Sequence, residues 1–411
     1  MTKSIVTGLL AFAVSSSLVL AQEPAAAGGW SAKPGSGLKY DGGDAFSFNL
    51  ANQLHSQWSY MSLDNGVPDI NSFAVNRART TLSGNVFNKN INYVLKLDAV
   101  DSGPAGDGNL KDGHVTWNFV TGDNTIGLRF GQGKVLYGLE GTGSSTGLFF
   151  VNRSSAAQDF SNNRSRGAWL VGSGAENKLR WSAGAMNGDV AGAASGIADV
   201  GEESANTDNE LSYTAMVNFD PLGDFANGKG TESLRQGDFR TDDKSLKGTI
   251  GAGVALGNAT SFVTGTDVES TSINLNTAWS VEGFQVMGEY FMRTDDQQGA
   301  VVDEEEPTGW AVSGTYVMPK SGDSGIQWGF GARLNMVESD LGNNGTVSYM
   351  TGLTGIGAAN GDATEISVVA NAFYHGHAAK TQIEYTFQDV DMGAAGDATN
   401  HILTIAFQLL F

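Results

Sequence analysis

Arg77 and Arg79 stand two residues apart in the run Arg77-Ala78-Arg79-Thr80-Thr81-Leu82-Ser83-Gly84-Asn85-Val86. In an extended chain alternate side chains share a face, so both guanidinium groups fall in one row with Thr81, Ser83 and Asn85. Ala78, Thr80, Leu82, Gly84 and Val86 make the other row. Arg129 sits between Leu128 and Phe130, Arg180 between Leu179 and Trp181, and Lys96 and Arg333 also fall on polar rows. Cations in such rows can line a wet passage and choose which ions cross it. For any single one of them the alternative is plain solvation of a wet wall.

Other chemistry is weakly supported. His375-Gly376-His377 is the only close pair among five histidines, and no third zinc ligand lies nearby. Gly131-Gln132-Gly133 and Gly141-Thr142-Gly143 precede no helical pattern and lack the lysine-hydroxyl pair of a phosphate loop. There is no Gly-x-Ser-x-Gly elbow. No catalytic residue, metal site or cofactor is assigned. Asp295, Asp296 and Asp303 to Glu306 cluster in one expected outer loop, and Glu202, Glu203, Asp208 and Glu210 in another. Their spacing matches no calcium loop, so solvated, self-repelling loops are expected, with divalent-cation bridging to surface lipid as the alternative.

The elements that must position the cations are strands. Leu403, Ile405, Phe407, Leu409 and Phe411 occupy every second position at the end of the chain, opposite Thr404, Ala406 and Gln408. The same two-residue period recurs in segments starting near residues 44, 73, 90, 112, 125, 166, 177, 210, 248, 271, 283, 308, 324, 364, 379 and 400. Each is roughly 9–14 residues, enough for a tilted strand to cross a bilayer. Short links at 88–90, 121–124, 173–175, 282–283, 320–323 and 376–378 alternate with long ones near 61–71, 101–111, 134–165, 188–208, 258–269, 294–307, 339–362 and 390–398. That alternation suits a barrel with short periplasmic turns and long outer loops. The stretch 221–246 breaks the rule, being long where a short turn is due.

The expectation is therefore an all-β, transmembrane antiparallel barrel of about 16 strands over 44–411. Residues 1–21 read as a signal peptide, with one lysine, an apolar run and Val19-Leu20-Ala21, and 22–43 as a flexible N-terminal segment. Only 40% of residues are hydrophobic, which suits strands greasy on one face only. A net charge of −20 argues against nucleic acid as a partner. Within 134–165, Leu148-Phe149-Phe150-Val151 predicts packing, so this long third loop is expected to fold into the lumen. Arg153, Arg164 and Arg166 would then hang near the narrowest point.

Phe73-Ala74-Val75-Asn76-Arg77-Ala78-Arg79, then Leu82-Ser83-Gly84 and Tyr93-Val94-Leu95-Lys96-Leu97-Asp98, resembles the phosphate- and polyphosphate-selective porin family. Gly131-Gln132-Gly133-Lys134, Asn152-Arg153-Ser154 and Asn163-Arg164-Ser165-Arg166-Gly167 resemble that family's third-loop region. The resemblance implies a sixteen-stranded homotrimeric porin of the bacterial outer membrane with a basic constriction. Arg77 and Arg79 would match the family's basic pair and Lys134, Arg153, Arg164 and Arg166 its third loop, while Phe407, Leu409 and Phe411 resemble the signal read by the barrel-assembly machinery. Its implied partners are outer-membrane lipids and small ions or solutes. Two departures stand out: Asn76 replaces an arginine frequent in the family, and 24 basic residues face 44 acidic ones. A passive diffusion pore is the first functional reading. A structural or adhesive surface barrel and a barrel enzyme are the alternatives.

Overall fold

Every alternating stretch becomes a strand, and sixteen strands close into an antiparallel barrel in the computed structural model. It describes residues 28–411 except 34, 64–67, 101–109, 162–163, 188–210, 224, 226–233, 261–266, 299–305, 321–324, 339–361 and 392–396. The expected signal peptide and the Glu202, Glu203, Asp208 and Glu210 cluster lie outside the described residues, as do Asp303, Glu304 and Glu305.

Two short strands come first, β1 (Gly29–Lys33) and β2 (Gly37–Asp41). The barrel follows as β3 (Phe46–Leu63), β4 (Ile70–Val86), β5 (Asn88–Asp98), β6 (Leu110–Val120), β7 (Thr125–Lys134), β8 (Arg164–Gly174), β9 (Leu179–Asn187) and β10 (Leu211–Phe219). It continues as β11 (Lys247–Thr260), β12 (Asp267–Val281), β13 (Phe284–Gln298), β14 (Thr308–Val317), β15 (Gln327–Glu338), β16 (Asp362–Phe373), β17 (Ala379–Asp391) and β18 (Asp397–Leu410). All sixteen barrel strands begin within four residues of the starts read from the sequence.

Each barrel strand pairs with its neighbour in sequence, and β18 returns to β3 from Leu410↔Gln53 to Asn400↔Leu63. Closure leaves no open barrel edge, as a membrane requires of a sheet. The two faces separate cleanly along β13. Phe284, Val286, Tyr290 and Met292 are exposed, while Gln285, Met287, Glu289, Phe291 and Arg293 are buried. The exposed apolar rows are the surface offered to lipid.

Three details depart from the sequence reading. Residues 29–41, inside the segment expected to be flexible, form a hairpin instead. Its β2 pairs with the first residues of β3, from Asp41↔Ser47 to Leu38↔Leu50, beyond the point where β18 stops. Asp295 and Asp296, expected in an outer loop, belong to β13. Phe73 and Val75 point outward although Arg77 and Arg79 share their odd numbering, because β4 carries a bulge. His55 pairs with Arg77 but Ser56 pairs with Val75, so Asn76 is an extra residue. One inserted residue exchanges the faces of everything beyond it. Phe73 is 84% exposed, whereas Arg77 and Arg79 are half-buried.

Candidate functional site

Residues 135–161 connect β7 to β8 and hold three short turns of helix: α1 (Leu139–Thr142), a 3₁₀ turn (Ser145–Gly147) and α2 (Ser155–Phe160). None is long enough to satisfy its own backbone, so burial demands outside partners for its N–H and C=O groups. The polar face of the barrel supplies them. Glu289 of β13 accepts the N–H groups of Leu139 and Glu140 at the start of α1. Glu384 of β17 accepts Val151 N–H at 2.7 Å, and Asn335 of β15 accepts Ala156 N–H at 3.0 Å. Glu365 of β16 accepts the Ser155 hydroxyl. The Asn371 and Gln382 amides donate to the Phe149 carbonyl at 3.0 and 2.8 Å, and Lys380 donates to that of Leu148.

Apolar contacts reinforce these bonds. Phe160 stacks on Phe291 with ring centroids 5.5 Å apart, and Phe149 meets Phe373 at 5.6 Å. Tyr137, Phe149, Phe150 and Phe160 are all fully buried. The Leu148–Val151 run, singled out for its greasiness, thus packs against inward apolar residues of the far wall.

Facing this loop is a wall of cations. Arg77 Nη1 donates to His55 Nδ1 at 3.3 Å, and its Nη2 reaches Asn152 Oδ1 of the loop at 3.5 Å. Arg79 Nε pairs with Asp98 at 2.6 Å while its Nη1 donates to Ser145 Oγ at 3.0 Å. Arg153 donates to the carbonyls of Glu140 and Gly143 at 3.0 and 2.7 Å. Lys134 donates to the Thr142 and Gly143 carbonyls, so two cations share the C-terminal end of α1. Asp112 is held between Lys96 and Arg164, with the Arg164 Nε contact at 2.7 Å. Arg333 enters from the opposite wall, donating to Asn152 O at 2.9 Å with its guanidinium 4.5 Å from the Phe150 ring centre. Glu140 and Glu384 each lie 3.9 Å from it.

Three expected pore residues lie apart from this cluster. Arg180 forms a buried two-pronged pair with Asp220, just after β10, and reaches Thr249 Oγ1 at 3.2 Å. It fastens strand ends at the end of the barrel that carries the termini. Arg166 Nε donates to Gln132 at 3.2 Å, and Arg129 is registered against Trp169 on β8. The His375-Gly376-His377 pair sits in the turn between β16 and β17, with His377 buried and His375 exposed. Sequence reasoning also missed Glu140, Glu289, Glu365, Glu384 and Lys380 as members of the site. Their only signal was a charge on a polar row in mid-strand or inside the third loop. At the end of the chain, Phe407 and Phe411 are exposed on the outer face, and the backbone of Phe411 exchanges hydrogen bonds with Asn52.

Comparison with known proteins agrees with this architecture. The profile of the family described as phosphate-selective porin O and P matches residues 48–322. No curated protein matches the chain. Among solved structures, the outer membrane channel DcaP of Acinetobacter baumannii superposes with a TM-score of 0.59 at 13% identity, covering 89% of this chain and 98% of that one. An anion-selective porin from Comamonas acidovorans gives 0.57 at 11% identity, covering 89% and 100%. The trimer form of OmpT, an outer membrane protein of Vibrio cholerae, gives 0.54 at 14% identity, covering 90% and 100%.

Proposed function

Because the chain belongs to the phosphate-selective porin O and P family and forms a channel of the bacterial outer membrane, we propose that small hydrophilic anions are the solutes it favours. Residues 135–161 narrow the lumen in this reading, and the remaining passage runs along Arg77, Arg79 and Arg153. One observation carries it. Arg79, Lys96 and Arg164 are each in direct contact with Asp98 or Asp112, but among the described residues neither Arg77 nor Arg153 forms a direct ion pair, the nearby Glu140 charge reaching Arg153 only from beyond contact. Both stay half-buried. Their positive charge is left for a passing ion.

The overall charge of −20 does not decide the sign. Exposed charges more than about 8–10 Å from the path are screened at physiological salt, whereas a cation at the narrow point acts at contact and in a lower dielectric. Reversal potential across a potassium chloride gradient tests this. The wild type should prefer chloride, and Arg77→Gln with Arg153→Gln should lower the anion-to-cation permeability ratio about three-fold or more. An unchanged ratio would remove both residues from the path.

Three barrels side by side complete the reading. The trimeric likeness supports it, and so do the aromatic side chains of Phe73, Trp117 and Phe130, which stand 84%, 53% and 70% exposed on the first strands of the wall. Cross-linking in native membranes should give three-chain species, and exclusively single chains would refute the trimer. The outward row of Phe407, Leu409 and Phe411 fits recognition by the barrel-assembly machinery.

A further inference from the structure

The stretch between β10 and β11 was long where a short turn was due, and its described residues explain why. Leu234 is buried in one cluster with Leu139 of the 135–161 loop. Gln236 is bonded on every side: its N–H donates to Gly147 O at 2.8 Å, and its side chain accepts Phe149 N–H at 2.8 Å and donates to Glu140 at 2.7 Å. Its carbonyl accepts the His377 Nε2 proton at 2.8 Å. Gly237 donates to Gln285 at 2.6 Å and takes φ 85°. A Cβ there would stand 2.7 Å from the Phe149 ring, so both backbone and space call for glycine. Arg240 bolts the returning chain to β12 through Ser280 Oγ at 2.9 Å, while pairing with Asp238 at 2.9 Å and Asp243 at 3.0 Å.

A segment from the end that carries the termini thus climbs inside the barrel and touches the loop descending from the other end. Arg235 is held between two buried neighbours, yet its own side chain is exposed. Its stem lies against Gly147, where a Cβ would come 2.8 Å from Arg235 Cγ. Inside a barrel, an exposed side chain between buried residues faces the water-filled passage. No carboxylate pairs with Arg235 among the described residues. Nearby His377 is buried, and burial first, then the Lys380 and Arg235 charges, hold its pKa well below the ordinary histidine value. That histidine is neutral, so it adds no charge that would compete with Arg235.

We propose that residues 234–243 are a second pore element, entering from the periplasmic end, and that Arg235 is a specificity-determining residue that an anion meets after leaving Arg77 and Arg153. The proposal rests on the anion-channel reading for its sign but not for its position. The chain has no cysteine, so Arg235→Cys introduces a single thiol. In a planar bilayer, Arg235→Cys should lower the anion-to-cation permeability ratio about two-fold, and Arg235→Lys should leave it at the wild-type value. A methanethiosulfonate reagent carrying an ammonium should restore the ratio, and one carrying a sulfonate should depress it further. Both should react faster from the compartment facing the termini. An unreactive thiol, or modification of either sign that leaves the ratio unmoved, would overturn the proposal. A cation-preferring wild type whose ratio still follows the sign of the reagent would uphold the place of Arg235 and refute the anion reading instead.

Discussion

Replacing Glu289 and Glu384 together by alanine will enlarge the open channel and make its current noisy. These two carboxylates accept three backbone N–H groups of the 135–161 loop, at Leu139, Glu140 and Val151. A buried donor left without its acceptor costs about 1–3 kcal/mol, so stranding three amounts to about 3–9 kcal/mol, comparable with the whole stability of a small domain. The apolar anchors at Phe149 and Phe160 remain, so the loop should stay near the wall but sample detached states. Single-channel recording reads this as a higher mean conductance with open-state fluctuations absent from the wild type. Wild-type conductance with a quiet open level would show that the carboxylates do not hold the loop.

The second large effect is on stability. Asp220 is fully buried and grips Arg180 with both oxygens, and it also accepts Phe225 N–H at 2.6 Å. Asp220→Ala strands a buried guanidinium, which costs about 3–5 kcal/mol, whereas removing both charges with apolar residues of similar size is often neutral or better. Asp220→Ala should therefore shift the urea midpoint of the folded barrel strongly downward, while Arg180→Leu with Asp220→Leu should recover most of the loss. Equal loss in the single and double variants would mean that the pair itself, rather than the stranded charge, sustains this corner. Channel selectivity should be unaffected by the double variant, because Arg180 lies away from Arg77 and Arg153.

Much of this molecule is written in a two-residue period. The greasy row from Leu403 to Phe411 pairs with β3, as its alternation implies, because only one face of a closed wall meets lipid. The positions of the strands were legible for the same reason. The bulge at Asn76 was not: a run from Phe73 to Arg79 carries no mark of the inserted residue, yet that residue decides that the aromatic faces out and the arginines face in. Arg180 shows a second blind spot. Its row is the polar one, as read, but height along the barrel is invisible to alternation, and its partner Asp220 sits at the end that carries the termini. The carboxylates that grip the loop, Glu289, Glu365 and Glu384, come from strands far along the chain from the loop itself. Nothing local distinguishes them from charges that merely wet a wall.

The linear order of residues thus settles which side of each strand meets oil and which meets water, since that depends only on neighbours two positions away. It also foretells that the Phe149 region must find cover. Where that cover lies and how the 234–243 segment comes to touch Gly147 depend on residues more than 80 positions apart brought together by closure of the wall, and which arginines keep their charge unpartnered depends on which carboxylates the strand register sets beside them. Pairing of charges in a barrel is set by height and azimuth. Those coordinates exist only once strand register and bulges are in place.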